Sequence, residues 1–68
     1  MTKIIYNRKL REEDFLDDDN LIFYKDSNIA YIIVKKDNYY ITRKKKVFNN
    51  QLLEERIIKT IPQVLKIL

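Results

Sequence analysis

The chain is organised around residues 21–48, LIFYKDSNIAYIIVKKDNYYITRKKKVF. Three apolar, aromatic-rich stretches, Leu21–Tyr24, Ile29–Val34 and Tyr39–Thr42, are separated by two polar segments of four residues each. Aromatic and β-branched residues favour strands, and short polar residues between such runs favour turns. The pattern predicts a three-stranded antiparallel meander whose last strand continues into Arg43–Lys46.

The turns between these strands set the expected register. The sequence has no glycine, so positive φ angles are expected at Asn and Asp residues of the turns. Two-residue turns are predicted at Asp26-Ser27 and Asp37-Asn38. The central strand is then apolar on both faces, and we expect both faces to be covered. The resulting cross-strand neighbours are Phe23 and Ala30, Ile22 and Tyr31, Val34 and Ile41, Ile32 and Arg43, and Tyr31 and Lys44.

The N-terminal segment is expected to add a fourth strand and a short helix. Lys3–Tyr6 is compatible with a strand, and Arg8–Leu16 is a charged segment that follows a potential N-cap, Asn7. Asp17–Asn20 is predicted to be a loop, because clustered short polar side chains compete with backbone pairing.

The C-terminal segment predicts a helix that packs on the sheet. Its apolar residues recur at intervals of four after a potential N-cap at Asn49 or Asn50. Pro62 predicts a kink or an end, with Thr60 as the cap of a last turn. The expected fold is a single small α+β domain with the element order β-α-β-β-β-α. The recurring apolar residues are Leu53, Ile57 and Ile61.

Composition narrows the function classes. A chain of 68 residues has room for one small core. It contains no Cys and no His, which argues against disulfides, the usual zinc sites and the commonest nucleophiles and general bases. No apolar run is long enough for a signal peptide or a membrane span. We therefore expect a cytoplasmic, non-enzymatic protein with no cofactor, no metal site and no membrane partner. A histidine-free ribonuclease that uses Arg43, Lys44 and Tyr31 is an alternative.

The basic run Arg43–Lys46 is the strongest candidate site. Residues 35–68 carry nine basic and three acidic groups, whereas residues 1–34 carry five and seven. Consecutive cations on a strand suit phosphates, and tyrosine rings on the same sheet, including Tyr24, can stack on bases. The run predicts contact with nucleic acid or another polyanion. A lysine-rich edge strand that prevents aggregation is the alternative. The candidate nucleic-acid-binding residues are Arg43, Lys44, Lys45, Lys46, Tyr31 and Tyr40.

The acid-rich segment Glu12–Asp19 is a second candidate site. Its spacing does not fit a calcium loop, which also needs a sharp turn that is usually made by Gly. Acidic groups and an apolar sheet face together suit a protein partner, for example a host protein inhibited by a mobile-element protein. The high content of Ile, Lys, Asn and Tyr, 32 of 68 residues, is typical of AT-rich genes such as those of phages. A homodimer is compatible with either role. The candidate protein-interaction residues are Glu12, Glu13, Asp14, Asp17, Asp18 and Asp19.

Overall fold

A computed structural model describes residues 2–16 and 20–68 as a five-stranded mixed sheet with one helix. A 3₁₀ turn, Glu12–Phe15, lies in the connection between the first two strands, and helix α1, Ile61–Ile67, follows the last strand. The first two strands are parallel and the other pairs are antiparallel. In their order across the sheet, the strands are β1 (Thr2–Tyr6), β2 (Asn20–Tyr24), β3 (Ile29–Lys35), β4 (Tyr40–Lys46) and β5 (Leu52–Ile58).

The α+β class and the N-terminal strand are confirmed, but the strand count is wrong. The sheet has five strands rather than three or four, because residues 52–58 form a strand and not a helix. The short helix expected over Arg8–Leu16 is also absent, since only the 3₁₀ turn forms there. The loop predicted at Asp17–Asn20 lies outside the described residues, apart from Asn20, which begins β2.

The hairpin between β3 and β4 has the predicted register. Val34 lies opposite Ile41, and the Lys36 N–H donates to the Tyr39 carbonyl at 2.8 Å across the Asp37-Asn38 turn. Ile32 likewise lies opposite Arg43, and Tyr31 opposite Lys44.

The hairpin between β2 and β3 differs from the prediction by one residue. Phe23 lies opposite Tyr31 rather than Ala30, and Ile22 lies opposite Ile32 rather than Tyr31. The cause is Asp26, whose carboxylate accepts N–H hydrogen bonds from Asn28 at 2.7 Å and Ile29 at 2.9 Å. This Asx-type turn holds Asn28 in the loop. A shift of one residue changes which side chains share a face, so the face assignment of β2 relative to β3 was also wrong.

One face of the sheet, the core face, carries the hydrophobic core. α1 and the 3₁₀ turn lie over this face, where Val64 is fully buried and Phe15 nearly so. Packing against these two elements encloses the apolar side chains of β1, β2 and β3. The strand residues of the core are Ile5, Leu21, Phe23, Tyr31 and Ile33.

The opposite face, the open face, has no such cover among the elements of residues 2–16 and 20–68. Both non-strand elements of the described residues lie on the core face, so these elements do not supply the cover expected for the second face. Ile4 and Ile57 are exposed on the open face, and between them Ala30 is buried while Ile22, Ile32, Val34 and Ile41 are half-buried. The aliphatic residues on this face are Ile4, Ile22, Ala30, Ile32, Val34, Ile41, Leu53 and Ile57.

Strand β5 replaces the first part of the predicted helix. Leu53 and Ile57 are four residues apart, and an even spacing places two side chains on one face of a strand as readily as on one side of a helix. The charges between them also fit a strand, because Glu55 lies opposite Arg43 on β4 and is bonded to it. Opposite charges that face each other across two strands stabilise the sheet.

Helix α1 begins where Pro62 indicated a boundary. The Gln63 N–H donates to Thr60 Oγ1 at 3.4 Å, so Thr60 caps the helix as expected. Pro62 occupies the first turn, where its missing N–H has no helical partner to lose. Among the described residues, positive φ angles occur at Asn7 (64°) and Asn50 (57°), and not in the two predicted turns.

Candidate functional site

The basic run is divided between the two faces of the sheet. Successive side chains of a strand point to opposite faces. Lys44 lies opposite the buried Tyr31 and so belongs to the core face, beyond the edge of the core itself. Arg43 and Lys45 lie opposite Ile32 and Ala30 and belong to the open face. The four cations therefore do not form one continuous patch.

Strand β5 neutralises one member of the run. Arg43 Nε donates to Glu55 Oε2 at 2.6 Å on the open face. Glu54, which faces Lys44, instead forms an ion pair with Arg56 at 2.6 Å. Within residues 2–16 and 20–68, no ion pair involves Lys44, Lys45 or Lys46. These three lysines are the cations that remain available to a polyanion.

Two predicted stacking residues are placed in the interior or at its margin. Tyr31 is only 5% exposed and is part of the core. Tyr40 is half-buried and meets Phe15 edge to face, with ring centroids 5.9 Å apart and an interplanar angle of 79°. Such edge-to-face contacts stabilise a core. A base would not reach the ring of Tyr31.

Two other tyrosines are exposed on the open face in line with Lys45. Tyr6 and Tyr24 are cross-strand neighbours on β1 and β2, and the row continues through Ala30 to Lys45. Tyr6 is 63% exposed and Tyr24 is 36% exposed. The sequence pointed to Tyr24, whereas Tyr6 was missed because its face depends on the parallel pairing of β1 with β2.

Phe48 is the most exposed large apolar residue, with 97% of its surface accessible. It lies in the turn between β4 and β5, two residues after Lys46 and just before the positive φ angle of Asn50. The Val47 N–H donates to the Asn28 carbonyl at 2.8 Å, which holds this turn beside the β2–β3 turn. Phe48 carries no prediction from the sequence, because its turn forms only when residues 52–58 are a strand.

These residues define the aromatic–lysine end, the part of the molecule that carries Tyr6, Tyr24, Lys45, Lys46 and Phe48. The backbone pairs place them at one end of the sheet, where β1, β2 and β4 finish and β3 and β5 begin. Exposed aromatic rings beside cations are the two components of a surface that binds single-stranded nucleic acid.

A cleft of about 1010 Å³ lies at the same end, below the turns that follow β1 and β2. Its walls combine apolar residues of the core face with three cations, Arg8, Lys9 and Lys25. Asp26 also lines the cleft and Arg8 is paired with Asp14, so the cleft extends mainly the apolar character of this end around the edge of the sheet. The main apolar residues of the wall are Leu10, Phe23, Val47, Leu65 and Leu68.

Asp14, one of the predicted protein-interaction residues, is buried and hydrogen-bonded within the fold. It is 5% exposed and accepts two hydrogen bonds from the Arg8 guanidinium, at 2.7 and 2.9 Å. It also accepts the Arg11 N–H at 2.8 Å, and Lys3 Nζ lies 3.8 Å away. Chiefly the hydrogen bonds from Arg8 lower the pKa of Asp14 to about 2.

The other acidic candidates are less constrained. Glu12 and Glu13 are exposed, and Glu13 pairs with Arg11 at 3.2 Å. Asp17, Asp18 and Asp19 lie outside the described residues. Among the described residues there is no group of three or more side chains that could hold a metal ion.

Two further findings bear on the identity of the protein. In the described part of the chain, no helix combines the length and apolar character that crossing a membrane requires. Comparison of the chain with protein-family models, curated proteins and solved structures gives no match.

Proposed function

We propose that the protein is a cytoplasmic, non-enzymatic binding protein that contacts single-stranded nucleic acid through the aromatic–lysine end. The observation that carries this proposal is the alignment of Tyr6, Tyr24 and Lys45 in one row of the open face. Phosphates would lie against Lys45 and Lys46, and bases would stack on exposed rings.

The charge of the molecule supports this assignment. The net charge is +4, and the two arginines of the C-terminal half are both paired with glutamates. The unpaired positive charge of that half is therefore carried by lysines, which hold phosphate as point charges without the directed geometry of a guanidinium. Lysine contacts of this kind predict binding with little sequence preference.

The surface suits single strands better than a duplex. Tyrosines in a row on a sheet offer ring faces on which bases can stack. Bases that are already stacked in a duplex cannot make this contact. No described element projects as a helix toward the open face, so nothing there resembles a major-groove reader. Single-stranded RNA or DNA is therefore the expected ligand.

The first experiment measures the anisotropy of fluorescent 12-nucleotide single strands and matching duplexes at several salt concentrations. We expect single strands to bind more tightly than duplexes, with log affinity falling linearly as log salt rises. Tyr24→Leu should weaken binding by roughly 1 to 3 kcal/mol while leaving the salt slope unchanged, because stacking rather than charge is lost. Equal binding of both ligands by the wild type would contradict the stacking geometry.

A second candidate function is favoured by the aliphatic half of the open face. Ile4 and Ile57 are exposed at its two sides, with half-buried aliphatic residues between them. We infer that this half would fit an apolar surface of a protein partner, such as a host protein. Glu12 lies in the 3₁₀ turn over the core face, so it is not part of this proposed surface.

Affinity capture from a host lysate tests this second candidate. The wild type should retain a defined protein at moderate salt, and Ile4→Lys should release it while leaving nucleic-acid binding intact. A matched control is Thr2→Lys, which adds the same charge at an exposed position of the same strand face. Retention of the same proteins by both variants would contradict a contact through Ile4.

A further inference from the structure

Strand β5 is an exposed edge of the sheet. It pairs with β4 on one side and is the last strand in the sheet order, so half of its backbone N–H and C=O groups face outward. Its residues from 52 to 57 are all exposed, and Ile57 is 70% accessible. β5 has no proline and is seven residues long, so the features that blunt this edge are its charged side chains and the irregularity at Lys44/Lys45.

The sequence of β5 is complementary to itself when read in the opposite direction. Glu55 lies between an acid, Glu54, and a base, Arg56. An apolar residue follows on each outer side, Leu53 before Glu54 and Ile57 after Arg56. Antiparallel pairing of two copies with Glu55 at the centre therefore places Glu54 opposite Arg56 of the second copy, twice. The same register places Leu53 opposite Ile57 of the second copy, also twice.

We propose that the protein forms a symmetric dimer in which the β5 strands of two copies pair antiparallel about Glu55. A two-fold axis perpendicular to the sheet generates this arrangement, which requires the same surface from both copies. The five-stranded sheets join into one sheet of ten strands. The proposal is independent of the nucleic-acid-binding function.

Other registers of the same strand pair are disfavoured by charge. Side chains must keep to their own face of the sheet, so the two-fold axis must pass beside a residue and not between two residues. The nearest alternatives to Glu55 are therefore Glu54 and Arg56. A centre at Glu54 places Glu54 opposite its own copy and Leu53 opposite Glu55. A centre at Arg56 places two arginines together and sets Glu55 against Ile57. Every register places one like-charged pair on the axis, but only the centre at Glu55 also sets two pairs of opposite charge and two apolar pairs against each other.

The Arg43–Glu55 pair supports the central position of Glu55. Two glutamates would meet at the two-fold axis, and each is already bonded to its own Arg43 at 2.6 Å. The centre would thus contain two acids and two bases on the open face. The irregularity in the pairing between β4 and β5 lies at Lys44/Lys45, where Leu53 has no partner on β4, so residues 54–57 form the regular part of the interface and Leu53 lies at its margin.

The dimer changes the geometry of the open face. Because the axis is perpendicular to the sheet, the open faces of both copies lie on the same side. The strands run in opposite directions, so the two aromatic–lysine ends lie at opposite ends of this continuous surface. Leu53 and Ile57, which are exposed in one copy, become neighbours of the second copy.

Variants that exchange the charges at positions 54 and 56 test the proposal. Sedimentation equilibrium measures their dimerisation at protein concentrations from about 10 μM to about 1 mM, without nucleic acid. The wild type should populate a dimer. Glu54→Arg and Arg56→Glu, each alone, place like charges opposite each other and should raise the dimer dissociation constant about tenfold or more. An equimolar mixture of the two variants should recover a dimer, because each chain then faces opposite charges on the other.

The mixture separates pairing between chains from effects within one chain. Both single variants also lose the internal Glu54–Arg56 ion pair, and mixing cannot restore it. Control variants Glu12→Arg and Lys36→Glu make the same charge changes at exposed positions away from β5 and should leave dimerisation unchanged. Circular dichroism checks that each variant is folded.

Three results would overturn the proposal. They are a monomeric wild type over the whole concentration range, single variants that dimerise like the wild type, and a mixture no more dimeric than its components. None of these results bears on nucleic-acid binding, which is measured separately on dilute protein.

Discussion

At the scale of single residues, Asp14 shows how an apparent functional group is used for structure. It lies in the acid-rich segment that the sequence indicates as an interaction site, yet it joins Arg8, Arg11 and Lys3 beneath the crossover from β1 to β2. A buried carboxylate is tolerated when several donors compensate its lost hydration. Asp14 therefore fixes the conformation of the connection that covers part of the core.

Asp14→Asn tests this role through the pH dependence of stability. The pKa of Asp14 is lowered in the fold from 3.8 to about 2, so the contribution of its ionised form is complete above about pH 5 and is lost as the pH falls toward 2. We expect the variant to lose roughly 2 kcal/mol of unfolding free energy at pH 7, and the difference from wild type to shrink on acidification. Urea titrations of both proteins at several pH values measure this difference in unfolding free energy.

The control for that experiment is Glu12→Gln in the same 3₁₀ turn, where the side chain is exposed. Its unfolding free energy should stay within about 0.5 kcal/mol of wild type at every pH. A difference between Asp14→Asn and wild type that does not vary with pH would show that the carboxylate charge is not what stabilises the crossover.

At the scale of elements, the sequence predicts local structure well where one periodicity is possible. The β3–β4 hairpin is correct because a two-residue turn and alternating apolar residues agree with each other. β5 was mistaken for a helix because Leu53 and Ile57 satisfy both periods, and because the five-residue connection from β4 lacks the two-residue turn signal of the preceding hairpin. The β2–β3 register depended on side-chain hydrogen bonds of Asp26, which spacing does not reveal.

Truncation of Val64 tests the packing of helix α1. The helix has only seven residues, so its stability must come from contact with the core rather than from its own hydrogen bonds. Val64 is fully buried, and Val64→Ala should lower the free energy of unfolding by about 2 kcal/mol in urea titrations. Lys66→Ala, at an exposed position of the same helix, should have little effect. Similar losses in both variants would contradict a core role for this helix.

At the scale of the whole molecule, the sheet has a structural face and a face available for contacts. The charge segregation and the candidate run Arg43–Lys46 are visible in the sequence, but the division of that run between two faces is not. Neither is the burial of Tyr31, which depends on the register of two hairpins. The aromatic–lysine end brings together residues from β1, β2 and β4 that only the sheet order makes neighbours.

The most direct test of this account compares two triple variants with equal charge, by titration into a fluorescent single strand at several salt concentrations. Lys44→Ala, Lys45→Ala and Lys46→Ala remove the unpaired cations of the β4 end. Lys35→Ala, Lys36→Ala and Lys59→Ala remove three exposed lysines at the opposite end of the sheet. We expect the first variant to bind weakly with a flattened salt slope, and the second to retain most of the wild-type affinity. Equal affinity of the two triple variants would contradict a nucleic-acid site at the aromatic–lysine end.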